Sequence, residues 1–305
     1  MPRPTEQAPK EQRARTSGRH SLCRSRRGSL SLVAMRFNDY EDFQHIRFDK
    51  RPDGVLVATL NRPDTLNSAN VRLHREFSEL WEIIDNDDDV KVTVVTGAGK
   101  AFSAGGDLEM IEEMAKDYDA MLVQLKDAAA VVEKVIGARK PIVSAINGVA
   151  VGAGLAVALL ADISIIGESV RLTDGHLRLG VAAGDHAVVA WPLLCGMAKS
   201  KYYLMTADFI DGRECERIGL VSMAVPDNQV LDKALAVAGR LANGSQLALQ
   251  ATKRALNGWY KQALPAFGES LALEMLCFLG GDVPEGVAAI REKRPPSFPS
   301  AAQKA

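Results

Sequence analysis

Asp174, His176, Asp185 and His186 stand within thirteen residues of one another. Histidine titrates near neutrality, and a carboxylate on its far ring nitrogen fixes the tautomer and stabilises the cation. These residue types at this spacing suit proton transfer. A second kind of chemistry lies in small residues. Ala101-Phe102-Ser103-Ala104-Gly105-Gly106-Asp107-Leu108 is echoed by Asn147-Gly148-Val149-Ala150-Val151-Gly152-Ala153-Gly154. Each follows an apolar, β-branched run (92–96 and 141–146) and precedes a long helical pattern. Two strand–turn–helix units leave free backbone N–H groups at helix N-termini, where negative charge is stabilised. If the turns face one another they form a two-donor oxyanion hole. That suits a carbonyl becoming an enolate or a tetrahedral oxyanion.

Other readings of these glycines fail on residue type. Thr96-Gly97-Ala98-Gly99-Lys100 follows a strand pattern, but Lys100 precedes Ala101 instead of Ser or Thr, and position 94 is Val. That excludes a phosphate-binding P-loop. Gly152-Ala153-Gly154 would need a third glycine at 157 for a dinucleotide fingerprint, and that residue is Val157. Close helix–strand packing alone would also favour small residues. The recurrence of the pattern favours a functional pair of turns.

Four ordered motifs resemble the crotonase (enoyl-CoA hydratase/isomerase) superfamily. They are Leu60-Asn61-Arg62-Pro63-Asp64 with Leu66-Asn67, the 101–108 stretch, Ala145-Ile146-Asn147-Gly148 with Gly152-Ala153-Gly154, and Ala161-Asp162-Ile163. The resemblance runs from about 45 to 298. It implies an α/β, crotonase-like fold of stacked ββα turns with a C-terminal helical region. It also implies an enzyme that binds an acyl-CoA thioester and stabilises an enolate. Carried over residue by residue, the oxyanion donors fall on the N–H groups of Ala104 and Ala153. Coenzyme A, as part of the substrate, would contact Arg62, Lys100, Ala104, Gly105 and, near the C-terminus, Lys293. Phosphates require such cations. No metal and no permanently bound cofactor is expected. The resemblance further implies a homotrimer or a dimer of trimers.

One departure is chemical. Hydratases of this superfamily use two glutamates, and the matching positions here are Ala156 and His176. Alanine has no proton to move, so the two-glutamate mechanism does not transfer. His176 is then the expected acid/base, oriented by Asp185. The nine-residue spacing from His176 to Asp185, followed by Trp191-Pro192, locally resembles crotonase-fold β-diketone hydrolases, in which a His–Asp pair activates water. Three functions follow: hydration or isomerisation of an enoyl-CoA; hydrolytic C–C cleavage of a 1,3-dicarbonyl compound; non-catalytic binding of an acyl-CoA. Structural roles compete at several positions. Asp185 and Asp107 suit helix caps, Asp174 a turn, and His74 and His186 solvent-facing helix positions. Glu109 suits a helix first turn, and Glu274 is a further candidate carboxylate.

The remaining sequence bounds these readings. The 305 residues are 47% hydrophobic and 25% charged, with a net charge of −1. That composition is globular and points to neither nucleic acid nor membrane as partner. Cys23, Cys195, Cys215 and Cys277 match no disulfide or zinc spacing, as expected of a reducing, cytoplasmic setting. Residues 1–35 hold eight basic side chains against two acidic ones and show no apolar period. They read as a disordered basic extension, with Met35 as a natural start; an organellar leader has a similar composition. Residues 36–305 then carry 29 basic and 36 acidic side chains, a net −7. The expected organisation is a core over 36–200, a helical region over 201–298 and a tail over 299–305. Strands are expected at 43–48, 54–60, 90–96, 142–146, 162–166, 170–172 and 220–225. Helices are expected at 68–84, at 108–136 with a break near Tyr118, and at 152–160.

Overall fold

The computed structural model describes residues 37–302. The basic extension lies outside the described residues. After a 3-10 turn at Tyr40–Asp42 comes a hairpin of β1 (Ile46–Lys50) and β2 (Val55–Leu60). Helix α1 (Val71–Asn86) follows, with the Asn70 side chain accepting the Leu73 N–H at 2.9 Å. Leu73, Phe77, Leu80, Trp81 and Ile84 are its buried face, as the 3.6-residue period requires.

Three rungs then repeat. Strands β3 (Val92–Gly97) and β4 (Ala101–Ser103) lead to α2 (Leu108–Met114) and α3 (Tyr118–Gly137). Strands β5 (Ile142–Ile146) and β6 (Val149–Val151) lead to α4 (Gly152–Leu160). Strands β7 (Ile163–Gly167) and β8 (Arg171–Thr173) lead to α5 (His176–Leu179) and α6 (Ala187–Thr206). The first strand of each rung enters a six-stranded sheet, β1-β2-β3-β5-β7-β10 with β10 at Met223–Val225, and the second enters a four-stranded sheet, β4-β6-β8-β9 with β9 at Ile210–Asp211. Pairings β2–β3, β3–β5, β5–β7, β4–β6 and β6–β8 are parallel. Each rung therefore returns its loop to the same side, which is how a stacked ββα superhelix collects functional turns.

Buried on both faces, the central strands are rich in Val and Ile, with small or hydroxyl residues between them. One face meets the main core under α1, α3 and α4. The other carries Val57, Val92, Val94 and Val143 beneath α8 (Val230–Ala242), which presents Ala234, Ala238 and Ala242. Small residues every fourth position let that helix lie close.

The expected division at 200 falls inside α6. Strand β9 (Ile210–Asp211) joins β8, and, beyond α7 (Gly212–Arg217), β10 (Met223–Val225) joins β7, so both sheets extend past it. Strand β10 lies inside the strand expected at 220–225, whereas β9, with two residues, is too short to show alternation. The rest is helical: α8, α9 (Gln246–Phe278), α10 (Asp282–Glu292) and a turn at Pro299–Ala302. Helix α9 buries Leu271 and Phe278 and exposes Leu256, Trp259, Leu273 and Leu276. Among the described residues, no single helix is long and apolar enough to cross a membrane.

Candidate active site

A cavity of about 730 Å³ lies where the turns after β4, β6 and β8 meet α9. The two small-residue turns face each other across one wall. A Cβ placed on Gly152 would sit 3.5 Å from Gly105 Cα and 3.8 Å from Gly106 N. Val151 caps α4 without a side-chain hydrogen bond, and the Ala153 N–H has no partner among the described residues. The expected donor in the other turn is corrected. Ala104 donates its N–H to the Leu66 carbonyl at 2.9 Å, so that group is occupied. Among the described residues, the unpartnered N–H of that turn belongs to Gly106. A parallel bridge explains it: Ala69 donates to Gly105 O at 2.7 Å and accepts from Asp107 N at 3.0 Å. That pairing uses the groups flanking Gly106 and leaves its own N–H on the other side.

His176 opens α5 immediately after Gly175 and is 8% exposed. Its Nδ1 lies 2.9 Å from Asp174 Oδ2. Its Nε2 stands 3.6 Å from Asp185 Oδ2 and 3.6 Å from Glu274 Oε1. The orienting carboxylate is therefore Asp174; Asp185 faces the opposite nitrogen. Asp185 is also no simple helix cap. Its Oδ1 accepts the His186 N–H at 2.6 Å and faces His186 Nδ1 at 2.6 Å. Glu274 arrives from α9 because Gly184 has no side chain. A Cβ at 184 would lie 2.3 Å from Ser270 O and 2.5 Å from Glu274 Cβ. Ser270 Oγ donates to Gly184 O at 2.7 Å and clamps the helix there.

Burial dominates the electrostatics, and charge decides its outcome. Burial opposes the His176 cation, yet Asp174, Asp185 and Glu274 raise its pKa well above the ordinary histidine value. Burial also opposes ionisation of Asp185, but His186 and His176 hold its carboxyl below the usual range. For Glu274 burial prevails: with Asp185 and Asp174 adding repulsion against the pull of His176, its pKa rises to about 8. At neutral pH the site thus holds a protonated histidine beside a largely neutral carboxylic acid. Asp174, His176 and Asp185 also bring possible metal-ligand atoms within 4.8 Å of one another, a grouping the sequence reading did not expect. The 2.9 Å Nδ1–Asp174 contact has hydrogen-bond length.

Comparison with known proteins decides the family. Residues 50–301 match the model of the family described as Enoyl-CoA hydratase/isomerase. The chain belongs to the enoyl-CoA hydratase/isomerase family. It is 32% identical over 253 residues to a probable enoyl-CoA hydratase, echA8, of Mycobacterium bovis, covering 82% of this chain and 96% of that protein. It is 32% identical over 249 residues to the 2,3-dehydroadipyl-CoA hydratase of Escherichia coli, covering 81% and 96%. A crystal structure of an enoyl-CoA hydratase/isomerase from Mycobacterium paratuberculosis superposes with a TM-score of 0.78 at 32% identity, over 81% of this chain and 99% of that one. The crotonase-like fold read from the motifs is the fold observed.

Within this family member, the cavity gathers His176, Asp185, Ala153, Gly105, Arg62 and the candidates Asp174, Glu109 and Glu274. It does not gather Lys100 or Lys293, which are exposed and away from the lining. Arg62 is at the rim with its charge engaged: it pairs with Asp107 at 3.3 Å and donates to Ser68 O. Asp107 also caps α2, as expected, accepting the Glu109 N–H at 3.1 Å. Arg178 and Arg291 are the other arginines lining the cavity. His74 and His186 are corrected. Neither faces solvent; they are 8% and 0% exposed. His74 lines the cavity, and burial lowers its pKa to about 4 despite Asp185 nearby. One signal in the sequence could have found it: His74 lies three residues from Phe77 and seven from Trp81, on the buried stripe of α1.

Proposed function

We propose that this protein adds water to an enoyl-CoA thioester, with the reverse dehydration and double-bond shift as its related reactions. Coenzyme A enters as part of the substrate. The carrying observation is His176, held at Nδ1 by Asp174 2.9 Å away and with Glu274 3.6 Å from its Nε2, in a cavity lined by both small-residue turns. The Gly106 and Ala153 N–H groups would hold the thioester oxygen as charge develops on it. Ionised Glu274 takes a proton from water as the water oxygen bonds to Cβ. The His176 cation, held by Asp174, delivers its Nε2 proton to Cα. The proton on Glu274 then returns to Nε2, and the balance is one water added. Glu274 thereby supplies the carboxylate that Ala156 cannot, from a different element. Exposed leucines on α9 support a subunit interface there, consistent with a trimer or dimer of trimers.

A second reading is hydrolytic C–C cleavage of a 1,3-dicarbonyl compound. It is favoured by His74, uncharged at neutral pH with a buried, unpartnered Nδ1, a hydrogen-bonding group suited to a second carbonyl. One experiment separates them. Purified protein is incubated with 2-enoyl-CoAs and cyclic 1,3-diketones, and products are weighed by mass spectrometry. Gain of one water on an enoyl-CoA supports the first reading. Gain of water with ring opening supports the second. No turnover of any enoyl-CoA overturns the first.

A further inference from the structure

His186 occupies the N-cap of α6 and is fully buried, yet its side chain makes no capping hydrogen bond. Ser, Thr, Asp and Asn fill that position where capping is the purpose. Its Nε2 is buried without a partner. Among the described residues, the ring's one hydrogen-bond partner is Asp185. Asp185 Oδ1 lies 2.6 Å from Nδ1 and accepts the His186 main-chain N–H at 2.6 Å. Nδ1 carries a proton there, in the neutral ring or the cation, because an ionised carboxylate only accepts. A buried nitrogen left unpaired costs stability, and leucine would avoid it. What histidine adds is a grip on Asp185. One donor would leave the carboxylate free to pivot about Oδ1; the second, from the ring, removes that freedom.

The grip matters because of the other oxygen. Asp185 Oδ2 stands 3.6 Å from His176 Nε2, beyond hydrogen-bond length. The second ring nitrogen of His176 is already held by Asp174. A carboxylate that closed the gap would leave both nitrogens tied and no proton free for a ligand. Opposite charges this deeply buried attract strongly, so the closed arrangement is the one to be resisted. Around Asp185 stand His176 of α5, Glu274 of α9 and His74 of α1. None of these makes a hydrogen bond to it; His186 does. We infer that His186 is a positioning residue for the reaction: its Nδ1 proton holds the Asp185 carboxylate back from His176 Nε2 and keeps that nitrogen free for the substrate. The inference rests on the hydration reading above and deepens it.

Kinetics and NMR test it together. Hydration of 2-butenoyl-, 2-hexenoyl- and 2-decenoyl-CoA is followed for the parent, His186→Leu, His186→Asn, Asp185→Asn and the double variant Asp185→Asn with His186→Leu. His186→Leu should lose about 10- to 100-fold in kcat with KM nearly unchanged. His186→Asn, whose amide N–H can replace the Nδ1 donor, should regain most of that loss. The double variant should match Asp185→Asn within about twofold, because leucine acts through Asp185 alone. Nitrogen-15 spectra of the histidines need no turnover. They should show His186 Nδ1 protonated in the parent, and a new hydrogen bond at His176 Nε2 in His186→Leu. Parental kcat in His186→Leu overturns the inference, as do losses that add in the double variant. A His186 ring without a proton on Nδ1 overturns it too, even if the leucine variant does not fold. If the parent hydrates none of the thioesters, the hydration reading falls. The spectra then decide the grip separately, and no new bond at His176 Nε2 overturns it.

Discussion

Glu274→Gln tests the site most directly. The substitution keeps the shape of the side chain and removes its proton chemistry. With a pKa of about 8, Glu274 is ionised in roughly one molecule in ten at pH 7. The proposed step needs it ionised while His176 is protonated, so kcat/KM for hydration should rise several-fold from pH 7 to 9. It should fall again only where His176, held above its ordinary value, loses its proton. Gln should lower the rate by about 10²–10⁴-fold, the usual cost of a positioned acid/base, and should abolish the rising limb. Stability supplies a second readout of known sign. A carboxyl whose folded pKa is raised contributes stability that is present below its ordinary pKa and lost as pH rises through about 8. The gap between 4.5 and about 8 corresponds to on the order of 5 kcal/mol in this fully buried group. Urea unfolding should show the parent losing stability from pH 5 to 9, and Gln losing much less. A Gln variant with the parent's rate and an unchanged alkaline limb would refute the reasoning.

Further expectations follow from the same geometry. His176→Ala should lose about 10²–10⁴-fold in kcat while still binding the thioester, measured by steady-state kinetics beside calorimetry; parental turnover would refute it. Asp174→Asn should lower activity more than Asp185→Asn, because only Asp174 lies at hydrogen-bond distance from the ring; equal losses would contradict the assignment of the orienting carboxylate. Light scattering at micromolar concentration should give a mass above one chain, and Leu273→Glu with Leu276→Glu should lower it. Deletion of residues 1–34 should leave the melting temperature and that mass unchanged, as calorimetry and light scattering would show.

Much of the fold was legible because its signals are local. Strands β5 and helix α4 match their expected limits, and the break before Tyr118 falls at 115–117. The motifs themselves hid their structure. The stretches carrying Ala101-Phe102-Ser103 and Val149-Ala150-Val151 read as turns, yet they are strands of the second sheet. Three residues cannot display an alternating pattern, and the pairings of β4 with β6 and of β6 with β8 are long-range. The same limit explains the donor. Nothing near Ala104 says that Leu66 takes its N–H; only the bridge between Ala69 and Gly106 decides which amide stays free. His176 was readable from its position in the motif. Its partners were less so: Asp174 looked like a turn residue, and Glu274 lies about a hundred residues downstream, brought in by the bare surface of Gly184.

Helix α9 carries Glu274 inward and turns Leu273 and Leu276 outward. A helix is stiff over a few turns, so the Glu274 carboxyl and the apolar flank move as one body. Pressure on that flank would be read directly in the 3.6 Å separation between Glu274 and His176, where an ångström changes the ease of proton transfer. Clamped at Ser270 and loaded from outside, the rod acts as a lever with its short arm in the cavity. Specific activity would then depend on protein concentration wherever the flank goes from bare to covered.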